Sequence, residues 1–145
     1  MVKLLTVKEL QARIADAEGA KASAAMKAMH AEEEEKRALL ERLSKPSGLS
    51  DDEVMEKASI IINRAVENGQ MSVQVFTFPH SLCTDNGRAI NQAEPGWENT
   101  LSGIPKEIFE FWKRQLQPRG YHIRYETINY PGGMPGDIGI VLSWG

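Results

Sequence analysis

Aromatic side chains are absent from residues 1–75; all ten, from Phe76 to Trp144, come later. Aromatics carry much of the burial energy of a small core. Residues 1–46, rich in Ala, Glu, Lys and Leu, are therefore excluded as the site of a core, and the packed domain is placed at 47–145. Cysteine is nearly absent too. Cys83 is the only one, which excludes an intramolecular disulfide and fits a reducing, cytoplasmic setting. No apolar run approaches the roughly 18 residues that a membrane span requires. The opening MVKLLTVKEL holds only a short apolar run, so no signal peptide is expected. An excess of positive charge is also missing. The net charge of −3 gives the chain as a whole no pull towards nucleic acid or anionic lipid.

What is present divides into an arm and a domain. Thr6 and Glu9 have the spacing of a capping box, which predicts a helix start. Helix-compatible sequence then continues to about Leu43 and stops at SKPSG, 44–48. Glu32–Lys36 and Glu33–Arg37 are i,i+4 pairs in the favourable order. Gly19 is the weak point, at about 1 kcal/mol relative to Ala. Leu10, Ala17, Ala24, Ala31 and Ala38 recur every seven residues, with Val7, Ile14 and Ala28 at the companion position. Lys21, Glu35 and Arg42 interrupt that seam. Three fates are open to such a helix: a coiled-coil-like arm pairing with another copy or a partner, a helix folded back on its own domain at Gly19, or a solvated single helix. The EEEEKR run reads as a solvated face.

In the domain, Ser50 and Glu53 form a second capping box ahead of a helix that ends at Gly69. It carries Val54, Ala58, Ile61, Ile62 and Ala65 on one face. MSVQVFTF, 71–78, reads as a strand, ended or placed at an edge by Pro79. A long polar connection, 79–103, follows; its length calls for either a short hairpin around Asp85–Gly87 or a functional role. Pro105 suits the first turn of a helix bearing Ile104, Ile108, Phe111, Trp112 and Leu116. YHIRYETINY, 121–130, alternates as a strand, and IGIVLSW, 138–144, reads as a central strand with both faces covered. The order α-β-α-β-β implies an α+β domain with two helices on a three-stranded mixed sheet. Its β-α-β part would make a right-handed parallel crossover, and its last two strands a hairpin.

Candidate chemistry concentrates at FPHSLCTDNGRAIN, 78–91. Cys83 would be the nucleophile of a cysteine-dependent enzyme, with His80 or His122 as base and Asp85 to orient it. The bland alternative is a buried thiol beside an Asn-Gly turn. NYPGGMPGDIG, 129–139, offers glycine N–H groups to an anion, but lacks the strand-to-helix setting of a phosphate loop. Asp137 there would satisfy turn backbone. Lys113, Arg114, Arg119, His122 and Arg124, with Tyr121 and Tyr125 alongside, form a local basic cluster. They serve either as helix-end cations or as a surface for an anion, an acidic partner or, less in keeping with the acidic remainder, nucleic acid. Trp97 is either a lid over the core or an exposed binding anchor. One Cys and three scattered His lack the closed ligand set of a metal site, and no motif implies a cofactor. With no complete catalytic constellation, the leading expectation is a non-enzymatic binding or assembly protein. The helix would give oligomerisation or partner docking, and the 79–103 loop would give recognition.

Overall fold

The computed structural model describes residues 6–145. The Thr6 hydroxyl accepts the Glu9 N–H at 3.2 Å, and the Glu9 carboxylate accepts the Thr6 N–H at 3.4 Å, as the capping pattern predicts. From this cap, helix α1 runs Val7–Ser44 as 38 residues, passing through Gly19. Every position from 6 to 38 is exposed.

Packing divides the chain into two units, Met1–Leu39 and Leu40–Gly145. The division falls inside α1, because Leu43 is buried with the second unit. There the chain turns tightly against Gly103. A Cβ at Gly103, whose φ is +61°, would collide with the Leu43 carbonyl and lie 2.8 Å from the Ser44 Cα.

Within the second unit, helix α2 spans Asp51–Glu67, and both halves of its Ser50–Glu53 capping box form. Strand β1 is Ser72–Pro79. The connection 79–103 does not contain the hairpin allowed for it. It folds instead into a 3₁₀ turn at His80–Leu82, a single helical turn α3 at Arg88–Asn91, and a second 3₁₀ turn at Trp97–Thr100. Helix α4, Gly103–Phe111, passes into a π-helical turn at Trp112–Leu116 and stops at Gly120, which has φ +93°. Strands β2, His122–Thr127, and β3, Asp137–Ser143, complete the α+β domain.

The sheet order is β1-β3-β2, and both pairings are antiparallel. The mixed sheet is therefore corrected to an antiparallel one. β1 and β2 do run in the same direction, but β3 inserts between them, so no parallel pair forms. The hairpin expected of the last two strands is present as β2–β3. The reason lies in β3 itself, the most apolar strand. In the middle its backbone is paired on both sides and its side chains are covered by neighbours.

One face of the sheet is packed. Ile138 and Ile140 are fully buried, and Leu142 is 3% exposed. Phe78 and Thr127 flank Ile138, Phe76 and Tyr125 flank Ile140, and Val73 and Ile123 flank Leu142. A bulge between Gln74 and Phe76 accommodates Val75 as an extra residue. Ile62 of α2 joins Phe111, Leu116 and Leu142 in one cluster, with Val75 packed against it. The other face carries the rows Ser72–Ser143–His122, Gln74–Val141–Arg124 and Thr77–Gly139–Glu126. It is mostly polar, with Val141 its buried apolar residue. Its cover over β3 comes from long side chains: Gln74 and Ile128 both lie where a Cβ on Gly139 would sit. The expectation of two covered faces thus holds for β3, where Val141 is buried as well as Ile138, Ile140 and Leu142.

The close approach at Gly103 generates a test. Gly103→Ala adds both left-handed strain and a collision with the Leu43 carbonyl, whereas Gly120→Ala, with open space around it, adds the strain alone. Urea unfolding should show Gly120→Ala destabilised by about 1 kcal/mol and Gly103→Ala by about 2–4 kcal/mol. Equal losses would mean that the contact at Leu43 does not constrain the fold.

Candidate binding sites

The opening candidate, FPHSLCTDNGRAIN, is built by backbone bonding. In the turn after β1 the Cys83 N–H donates to the His80 carbonyl at 3.0 Å, and the Asn86 N–H donates to the Cys83 carbonyl at 3.1 Å. Asn86 and Gly87 both adopt positive φ, at 58° and 80°. Asp85 holds this turn onto α3: one carboxylate oxygen accepts the Gly87 N–H at 3.0 Å, the other the Ala89 N–H at 2.9 Å. His80 points elsewhere. Its Nδ1 lies 3.0 Å from the Gly136 carbonyl, which can only accept, so that nitrogen carries the proton. Thus two of the residues proposed to activate Cys83 are bonded to backbone.

Cys83 itself is 3% exposed. Burial pushes its thiol up to about 11, and the nearby Asp85 carboxylate pushes the same way, against a hydrogen bond from the Thr100 side chain. That hydroxyl also donates to the Trp97 carbonyl at 2.7 Å, which limits what it offers a thiolate. Tyr125 is raised as well, by burial first and then by Cys83; its hydroxyl donates to the Pro105 carbonyl at 2.7 Å. His122 is remote. It pairs with Ser143, while Pro79, next to His80, pairs with Asp137. Those positions are six apart on β3, or about 20 Å at roughly 3.3 Å per residue.

Trp97 is half-buried and sits over Tyr125 and Phe109, with ring centroids 5.0 and 5.6 Å away. Phe109 continues the group to Trp112 at 5.5 Å. The indole therefore closes one end of the core, the lid position. A shallow recess beside it, about 220 Å³, is walled by Ile90, Ala93, Trp97, Ile123, Arg124 and Tyr125.

The basic residues do not converge as one cluster. Arg114 donates to Asp51 through Nη2 at 2.9 Å and Nε at 3.3 Å, and Gln115 donates to the same carboxylate at 3.1 Å. The Arg114 hydrogen bond holds the Asp51 carboxyl below the usual carboxylate range. Arg119 donates to the Gln115 carbonyl at the helix end, as helix-end cations do. Arg124 pairs with Glu126 at 3.1 Å on the open face of the sheet, where His122 is also exposed. Tyr121 packs edge-on to Trp144 at 6.2 Å, and its carbonyl accepts the Trp112 indole N–H at 3.0 Å. In the glycine-rich 129–139 segment, Asp137 and Asn129 bond to each other across the turn, with the Asn129 side-chain oxygen taking the Asp137 N–H at 2.8 Å.

A second concavity is one that helix periodicity alone does not announce. A groove of about 560 Å³ lies between α2 and α4. Val54, Ala58 and Ile61 line one wall, Ile104, Ile108 and Phe111 the other, and Val75 and Leu142 lie at its floor. All of the wall residues read as core positions from their spacing, yet of these six only Phe111 is fully buried. Lys57, Glu107 and Glu110 stand along the rim, and the Asp51–Arg114 pair joins the two helical segments there. Known protein families, curated proteins and solved structures provide no match to this chain. The class defined by the fold is an α+β domain carrying a long N-terminal helix.

The buried thiol yields a pH test. A folded-state pKa near 11, above the ordinary 9.0, favours the folded chain fully below pH 9, and that contribution fades as pH rises towards 11. Stability measured by urea unfolding should therefore fall more steeply over that window in the native protein than in Cys83→Ala, in which Tyr125 still titrates. Alkylation at pH 8 should be slow until urea unfolds the chain. Rapid alkylation of the folded protein would show that the thiol is accessible and ionised.

Proposed function

We propose that this protein is a non-enzymatic protein-binding or assembly module, in which the N-terminal helix serves oligomerisation or docking. The observation that carries this reading is the exposure of apolar residues along α1. Val7, Leu10 and Ile14 are 70%, 45% and 59% exposed. They begin the seam that continues through Ala17, Ala24, Ala28 and Ala31. An isolated helix draws little stability from propensity alone and gains most of it from packing an apolar face. At about 1.5 Å per residue, the 38 residues of α1 extend about 57 Å, far more than is needed to cap a domain of this size. Alanines along the seam allow a second helix to approach closely. In the domain, recognition by the 79–103 segment falls to its exposed run at 91–96, since Leu82, Cys83, Ala89, Ile90 and Leu101 of the same segment are buried.

Removing residues 1–39 tests the arm while sparing Leu43 and every other core residue. Light scattering should find the full chain above monomer mass and the 40–145 chain at monomer mass. Ile14→Glu, on the seam, should shift the full chain towards monomer, and Gly19→Ala should raise helicity without changing that mass. If the full chain and the 40–145 chain both run as monomers at 100 μM, the oligomerising role is lost.

A further inference from the structure

We propose that the groove between α2 and α4 receives an amphipathic helix of a partner protein, one with apolar anchors at i, i+4 and i+7 and a basic edge. The groove is built wholly from residues 47–142, so this proposal is separate from the role of α1.

The walls have the form a third helix requires. Val54, Ala58 and Ile61 are spaced i, i+4 and i+7, and so are Ile104, Ile108 and Phe111. Two such rows over an apolar floor make a channel for the side-chain ridge of another helix. Five of the six remain partly exposed, so the domain leaves this surface incompletely covered. Ala58 stands in the middle of one row, and its small side chain keeps the channel open. The Asp51–Arg114 pair and the Gln115 bond tie the start of α2 to the turn after α4, which holds the walls apart at a set distance.

Charge selects the partner. Asp51 and Arg114 neutralise each other. That leaves Glu110 and Glu107, the latter also accepting the Ser47 N–H at 3.2 Å, three residues apart on the α4 wall, with Lys57 on the α2 wall. A helix with Lys or Arg along one edge and a carboxylate on the other matches this arrangement and is oriented by it. The polar groups follow the two helical rims rather than converging at the floor. That pattern suits a helix better than a small molecule, whose pocket focuses a few polar groups on the ligand.

The test uses the full chain and a fluorescein-labelled 18-residue helical peptide with leucines at i, i+4 and i+7, a lysine edge and a glutamate edge. Fluorescence anisotropy should show saturable binding that unlabelled peptide competes away. Ala58→Trp should fill the channel and weaken binding at least about tenfold. Ile108→Glu provides a second block should the tryptophan disturb folding, which urea midpoints will report. Glu110→Lys should weaken binding about two- to fivefold at low salt, and exchanging the peptide's lysine edge for glutamate should recover it. A shuffled peptide binding equally well, or affinity unchanged by both blocking variants, would overturn the proposal. So would uptake of an apolar dye that Ala58→Trp abolishes but the peptide cannot displace, since the groove would then be a small-molecule site. A dimer of the 40–145 chain that Ala58→Trp dissociates would overturn it as well, by making the groove a self-interface.

Discussion

The folded domain depends on the burial of one row of side chains, Ile138, Ile140 and Leu142 on β3. The three are 0%, 0% and 3% exposed. Apolar burial of this kind is the dominant favourable term in folding, and every other element of the domain is arranged to supply it. β1 and β2 pair with β3 on either side and add Phe76, Phe78, Ile123 and Tyr125 to the same face. α2 and the segment through Leu116 then close over that face. Because β3 is the last strand in the chain, both strand pairings wait on the C-terminus. The β1–β3 pairing also joins residues 58 to 71 positions apart, the kind of distant contact that slows folding.

That dependence explains the loop at 79–103. To leave a place for β3 between them, β1 and β2 must be linked by a connection that crosses the packed face. The connection does so with short helical turns rather than open chain, because backbone that passes over a core must satisfy its own N–H and C=O groups. Asp85, Asn86 and Gly87 are the local means. The carboxylate takes two N–H groups, and the two following residues supply positive φ. Residues that crowd together like a catalytic site therefore act as the corner of a scaffold. Cys83 is an apolar residue in that corner, and its burial, which raises the thiol, opposes the thiolate that nucleophilic chemistry needs.

The helical layer over the sheet is incomplete. α2 and α4 do not meet along their full length, and the groove between them is the remainder. An exposed polar pair, Asp51–Arg114, bridges the two segments. Such pairs add little to stability; its contribution here is geometric. The uncovered apolar residues of the groove and those of α1 before Leu40 lie in separate units of the chain.

Much of this was readable residue by residue. Both capping boxes, the run of α1, the limits of α2, the three strands and the turn at Asp85–Gly87 follow from local chemistry: spacing, side-chain reach to nearby backbone, and the freedom of glycine. These signals act within a few residues of their cause, which is why one sequence suffices to place them. Strand partnership was not local. A β-α-β order permits a parallel pair, and only the competition for the most protected position put β3 between β1 and β2. Nor could spacing tell a buried helix face from a groove wall. Val54, Ala58 and Ile61 share a helix face with Ile62 and Ala65, and Val54 and Ala58 pack against the same cluster as Ile62, yet only Ile62 and Ala65 are buried, because α4 does not close over the others. Sequence alone determined where α1, α2, α4 and the three strands form, and it left Cys83 open between a nucleophile and a buried thiol. Tertiary structure decided which strands pair, where His80 and His122 lie relative to the thiol, and which apolar residues stay open, because each is set by the relative position of elements far apart in the chain.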